Sequence, residues 1–185
     1  MDFSKLRESM EHADKERETV IKDSRDVLKA AKQAIFALHR ENVDEAKDLL
    51  AKARRDKEAI EQKINNPRAH SGSFKNACEE YAEAALFLHF QEKGELLAFS
   101  ELDLTEDEYL GACADLTGEL GRRAVILATE RKAEEVKKIR DFTDDIYGEF
   151  VKFDFRNGEL RRKYDSIKYN LQKMEQVLYN LEMNK

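Results

Sequence analysis

The sequence predicts an all-α protein, a bundle of long helices, on three observations. Only 7 glycines and 1 proline punctuate 185 residues, 39% of the chain is charged, and apolar residues recur at steps of three and four. Sheet proteins need more turn residues than this, whereas long helices with solvated faces need few. A chain of this length buries roughly 70% of the surface that its unfolded form exposes, so residues 1–185 are read as one domain around one core.

The first helix is predicted from about Phe3 to Arg40, a span free of Gly and Pro, with apolar positions at Val20, Val27 or Leu28, Ala31, Ile35 and Leu38. Its first half (EHADKERE) is so charged that it is expected to project from the body or to contact a partner. Glu41 and Asn42 form the expected turn. A second helix, Val43 to Ile64, sets Val43, Ala46, Leu49, Leu50, Ala53, Ile60 and Ile64 on one side, and NNPRAHSGS with Pro67 and Gly72 breaks it. The third runs from Phe74 to about Glu92 and ends at Lys93 and Gly94. The passage to Leu104 is expected to be irregular, with at most a short helix.

Thr105 and Glu108 have the spacing of a capping box and open a fourth helix that reaches about Glu130. Gly111, Gly118 and Gly121 inside it each weaken helix propensity by about 1 kcal/mol, which implies either close approach of another helix or flexibility. A fifth helix spans Lys132 to Lys152, and FDFRNGEL contains the next loop. The last, Glu159 to Met183, carries Leu160, Tyr164, Ile167, Leu171, Met174, Leu178 and Leu181 as an unbroken heptad seam. Such a seam either packs within its own bundle or forms a subunit interface.

With 33 Lys and Arg against 39 Asp and Glu, the formal net charge is -6. Overall charge therefore does not announce a nucleic-acid partner. Phosphate binding would need local clusters such as Arg122 with Arg123, or Arg161, Arg162 and Lys163, and a solvated helix face is the plainer account of each. Cys78 and Cys113 show no CxxC spacing and are expected to be reduced, small and buried. The N-terminus lacks the apolar run of a signal peptide, and no stretch approaches the roughly 20 apolar residues that span a bilayer. A cytoplasmic protein without a membrane partner is the expectation.

The acids of the stretch Cys78–Arg123 are the hardest to explain as plain surface charge. Glu80 and Glu83 are three apart among Tyr81, Ala84, Ala85, Leu86, Phe87 and Leu88. Asp115 and Glu119 are four apart among Ala112, Cys113, Ala114, Leu116 and Leu120. At helical spacing each pair shares a face. Either these are partly exposed surface carboxylates, or the helices turn Glu80, Glu83 and Asp115 toward one point where their repulsion demands a cation. All-oxygen ligands suit Mg²⁺ or Mn²⁺. No HExxH, P-loop or dinucleotide fingerprint occurs. A di-iron carboxylate bundle needs Glu-x-x-His pairs, and the residues three before His12, His39, His70 and His89 are Ser9, Phe36, Pro67 and Leu86.

The segments KERETVIKDSRDVLKAAKQAIFALHR, EYAEA, YLGACADLTGELGRR and FRNGELRRKYDSIKYNLQKMEQVLYNL resemble the translin family across nearly the whole chain. The SRD, LHR, EYAEA and ADLTGEL elements are closer to the TRAX (translin-associated factor X) branch, and the LRRKYDSIKYNLQKMEQVLYNL ending is shared with the translin branch. The chain looks like a single-chain relative combining both subunit types, and nearest to a TRAX-like form.

That resemblance implies an all-α subunit of a hollow homo-octamer that binds single-stranded nucleic acid, and a Mg²⁺-dependent endoribonuclease. It places the catalytic, metal-holding acids at Glu80, Glu83 and Asp115, the residues that spacing also singles out. Glu119 matches the family pattern too, and is read as standing behind the ligands or as structural. The ions would activate a water and neutralise charge on the scissile phosphate. Arg122, Arg123 and Lys163 are the favoured RNA-backbone contacts, with Lys22 and Arg25 as further candidates. A non-catalytic, translin-like scaffold binding single-stranded RNA or DNA is the alternative, and dependence of turnover on Mg²⁺ separates the two.

Overall fold

The computed structural model describes residues 2–64 and 72–183. Among them there are six α-helices and no strand: α1 (Ser4–His39), α2 (Val43–Lys63), α3 (Gly72–Lys93), α4 (Glu106–Thr129), α5 (Ala133–Phe150) and α6 (Glu159–Met183). A 3₁₀ turn, Phe99–Glu101, is the short helix anticipated before Leu104. The all-α expectation holds. Pro67 and His70 lie outside the described residues, while Gly72, expected within the break, is the first residue of α3. No helix among the described residues is long and apolar enough to cross a membrane.

Two compact units can be distinguished, Met1–Leu88 and His89–Lys185. In the first, α1 packs on α2 through Val20, Val27, Ala31, Ala34, Ile35 and Leu38 on one side and Ala46, Leu50, Ala53 and Ile60 on the other, all buried. The turn between them places Glu41 at φ 61. The amide of Asn42 reaches back to the Ala37 carbonyl at 3.0 Å, so the helix end keeps its hydrogen bonds despite a left-handed non-glycine residue. The charged first half of α1 is largely solvent-exposed, including Phe3, Leu6 and Met10.

In the second unit, Thr105 caps α4. The Glu108 amide donates to the Thr105 hydroxyl at 3.4 Å and the Thr105 amide to the Glu108 carboxylate at 2.9 Å, which is the reciprocal pairing read from the sequence. The Tyr109 hydroxyl donates to the Leu97 carbonyl at 2.6 Å and its ring meets Phe99 edge-on, fastening the irregular passage to α4. Cys113, and Cys78 in the first unit, are buried and form no disulfide. Burial pushes the Cys113 thiol up to about 12, against a smaller opposing effect of its hydrogen bond with Tyr109, so it stays protonated and unreactive at neutral pH.

The heptad seam of α6 turns inward. Ile167, Leu171 and Met174 are buried, while Leu160, Tyr164, Leu178 and Leu181 at its ends are half-buried. α6 packs on both α4 and α5. α5 contributes Val136, Ile139, Thr143, Ile146 and Phe150 at steps of three and four. The loop after it is held by an aromatic cluster in which Phe150, Phe153, Phe155 and Tyr164 lie 5.4–6.3 Å apart, centre to centre.

The glycines of α4 decide between close approach and flexibility. A Cβ at Gly121 would sit 3.5 Å from Met174 Cε and one at Gly118 would sit 3.8 Å from Asn170 Nδ2. α6 therefore passes close to both, yet leaves room for a methyl group. Gly148, exposed in α5, has nothing within 4 Å of that position. Gly148→Ala should raise stability by about 0.5–1 kcal/mol through helix propensity, and Gly121→Ala should be neutral to stabilising. Urea unfolding followed by circular dichroism checks both, and a large loss at Gly121 would mean that α6 sits tighter than these distances allow.

Candidate functional site

α3 is built to be buried on nearly every side. Phe74, Ala77, Cys78, Tyr81, Ala82, Ala84, Leu86 and Phe87 are all buried, and a helix apolar around its circumference belongs inside a protein. It nevertheless carries carboxylates there. Glu83 is 8% exposed and Glu79 is 6% exposed. Burying a carboxylate is costly unless it is compensated. Lys75 Nζ lies 3.6 Å from Glu79, and Lys32 Nζ, from α1, lies 3.8 Å from Glu80 Oε2. The Glu80 side chain is 22% exposed. Sequence reasoning paired Glu80 with Glu83 and passed over Glu79, although Glu79 stands one full turn before Glu83 and so shares its inward face.

On α4, Asp115 receives a hydrogen bond from Lys163 Nζ of α6 at 2.7 Å. That lysine side chain is 18% exposed and the aspartate 36%. Two residues on, Asn170 Nδ2 donates to the buried Thr117 hydroxyl at 2.9 Å, which in turn donates to the Ala114 carbonyl at 2.7 Å. Lys163, expected on a phosphate, is thus spent on one of the expected metal ligands. Glu119 lies 3.9 Å from Arg122, one turn along the same helix.

Arg123 lines a cleft of about 520 Å³ with Phe90, Lys138 and Asp145, where the Phe90 and Phe142 rings meet tilted by 34° with centroids 4.4 Å apart. Lys22 and Arg25 are exposed on α1, with Asp23 between them held by Lys63 at 3.2 Å. Among the described residues no three His, Cys, Asp or Glu side chains are grouped so that they could hold a metal ion. The acids instead carry lysines as counter-charges at Glu80 and Asp115, and Lys32 is a partner that sequence spacing did not reveal.

These features define a class: a small all-helical protein that keeps carboxylates on its most buried helix and balances others with lysines drawn from distant turns. The chain belongs to the translin family, whose description, Translin family, matches residues 15–185. It is similar to translin of Gallus gallus, 31% identical over 77 residues, which are 42% of this chain and 34% of that protein. The matched stretch thus spans about a third of translin's length. It is also similar to translin-associated protein X of Pongo abelii, 23% identical over an alignment of 225 residues covering 98% of this chain and 77% of that one. Among solved structures, AfC3PO superposes with a TM-score of 0.89 at 23% identity, covering 100% of this chain and 99% of that one. The same protein in a complex with duplex RNA gives 0.86 over 100% and 98%. The family resemblance drawn from the motifs and the all-α fold agree with these matches.

The Lys163–Asp115 pair makes a measurable contribution. A hydrogen bond to a charged partner contributes about 1.5–3 kcal/mol when sheltered, and the partial exposure of Asp115 reduces that to about 1 kcal/mol. Lys163→Met and Asp115→Asn should each cost about this much, and the double variant little more, by chemical denaturation. Strict additivity would show that the two side chains do not interact in solution.

Proposed function

We propose that this chain is a translin-family RNA-binding protein that acts as a Mg²⁺-dependent endoribonuclease on single-stranded RNA within a homo-octameric shell. The observation that carries the reading is the placement of Glu83 in the interior of α3, with Glu80 and Asp115 only partly exposed, in a chain of this family. AfC3PO, which shares the fold, forms a complex with duplex RNA.

The donor chemistry of Glu80, Glu83 and Asp115 fits Mg²⁺, with Mn²⁺ as a substitute, since all three offer only oxygen. A bound ion supplies an activated water and neutralises charge developing on the scissile phosphate. Glu83 is withdrawn from water, so a charge brought beside it is screened little by solvent. Lys32 and Lys163 lie against Glu80 and Asp115 and orient these carboxylates. Arg122, Arg123, Lys22 and Arg25 are the basic side chains for the RNA backbone, and Glu119 orients Arg122.

A second reading is favoured by the lysine pairs themselves. Carboxylates already neutralised by Lys32 and Lys163, with no group of three among the described residues, suit a non-catalytic scaffold that binds single-stranded RNA or DNA.

Amide replacements separate the readings. Glu83→Gln and Asp115→Asn nearly keep shape while removing a ligand charge, and should lower Mg²⁺-dependent cleavage of a short single-stranded RNA by about a hundredfold or more. RNA affinity should be kept or rise, because less negative charge faces the phosphates. Chelation with EDTA should abolish cleavage and spare binding. Full activity in Asp115→Asn, purified free of contaminating nuclease, would leave only the scaffold reading.

The assembly is tested by mass. Light scattering at micromolar concentration should give the octamer, and a monomer would remove the shell.

A further inference from the structure

A cleft of about 420 Å³ lies along α6, lined by Tyr147 of α5 and by Arg161, Tyr164, Asp165, Lys168 and Tyr169. It joins three aromatic rings to two cations and one carboxylate, a local excess of positive charge in a chain whose net charge is -6. The rings are pre-arranged. Tyr147 and Tyr164 stack with centroids 5.9 Å apart and planes 13° from parallel, and the buried Phe150 lies parallel to Tyr164 at 6.3 Å. The Arg161 guanidinium stands 5.1 Å over the Tyr164 ring while its Nε donates to Asp165 at 3.1 Å, which fixes the cation beside the aromatic face. Tyr169 is 70% exposed.

Rings that stack and cations held beside them match one ligand chemistry, a nucleotide whose base offers a π face and whose phosphate offers charge. We propose that this cleft is a nucleotide-stacking subsite for single-stranded nucleic acid, with a base against Tyr164 and Tyr169 and the adjoining phosphate on Arg161 and Lys168. The subsite rests on the RNA-binding reading but uses none of the acids assigned to cleavage. It selects single strands, because only an unstacked base can lie against a side-chain ring. Lys163, which holds Asp115, precedes Tyr164 directly, so one helix carries both the subsite and the counter-ion of a cleavage acid.

The test is fluorescence anisotropy with a labelled oligouridine of about ten nucleotides and a blunt duplex of similar length, a span within reach of one such site. Tyr169→Ala should weaken single-strand binding by about fivefold or more, since one base–aromatic stack is worth about 1–3 kcal/mol. Tyr169→Phe should bind as the unaltered protein does. Lys168→Ala should weaken binding and reduce the slope of log affinity against log salt by about one. Duplex affinity should hold within about twofold in each case, since no base is free to stack.

If the unaltered protein binds the single strand and Tyr169→Ala binds equally well, the subsite is wrong and the RNA-binding reading stands. If the unaltered protein binds neither RNA, both fall. If Tyr169→Ala instead lowers the particle mass in light scattering, the face is an interface between copies of the chain and the subsite is overturned.

Discussion

The second unit depends on the seating of α6 against α4. Three contacts set it, Lys163 on Asp115, Asn170 on Thr117 and Met174 beside Gly121. The partners ascend together along the two helices, so α4 and α6 run in the same direction with α5 returning between them. The contacts differ in kind, an ion pair at the half-exposed end, a part-buried hydrogen-bonded chain onto the buried Thr117 next, and an apolar contact over a glycine beyond it. Slipping α6 by one residue would turn all three away at once, leaving Thr117 buried with one lone pair unmatched and Asp115 without its ammonium. The polar pair therefore specifies the register, while Ile167, Leu171 and Met174, each worth about 1.5–3 kcal/mol when buried, supply the adhesion.

This seating has two consequences at the start of α6. At its start it presents Arg161, Tyr164 and Lys168 beside Tyr147, and the aromatic packing of Phe150, Phe153 and Phe155 closes the loop that leads into it. From the same first turns the helix delivers Lys163 to α4. A basic residue in a charged cluster is naturally assigned to phosphate, but the direction of a helix face decides its use. Lys163 is on the inward side, one turn before the buried Ile167, and its ammonium meets the first carboxylate that α4 offers.

The elements were legible in the sequence because they are governed locally. The scarcity of Gly and Pro, the capping box at Thr105 and the three-four spacing of Val136, Ile139, Thr143 and Ile146 involve residues within a turn or two of each other. Helix ends accordingly fell within two residues of expectation. The heptad seam was legible as a seam but not as an interior one, because periodicity marks a sticky face without naming what covers it. The acids were legible as oddities on apolar helices. Their counter-ions were not: Lys163 is 48 residues from Asp115 and Lys32 is 48 from Glu80, and no local pattern links such partners. Glu79 was overlooked for a different reason. Attention to a familiar spacing of three obscured the spacing of four that puts Glu79 and Glu83 on the same inward side.

The lysine pairs also bear on how a cation and this protein would meet. A carboxylate beside an ammonium is already stabilised in its charged form, so a divalent ion gains only the difference between its own attraction and that of the lysine it displaces. At Asp115 that lysine is sheltered and hydrogen-bonded, whereas at Glu80 it is 61% exposed and 3.8 Å away, a looser hold. The two lysine contacts are therefore not equivalent: the one at Glu80 is loose and exposed, and the one at Asp115 cannot be given up without also disturbing the α4–α6 contact. An ion that took Asp115 from Lys163 would therefore disturb the seating of α6, the helix that also lines the tyrosine cleft.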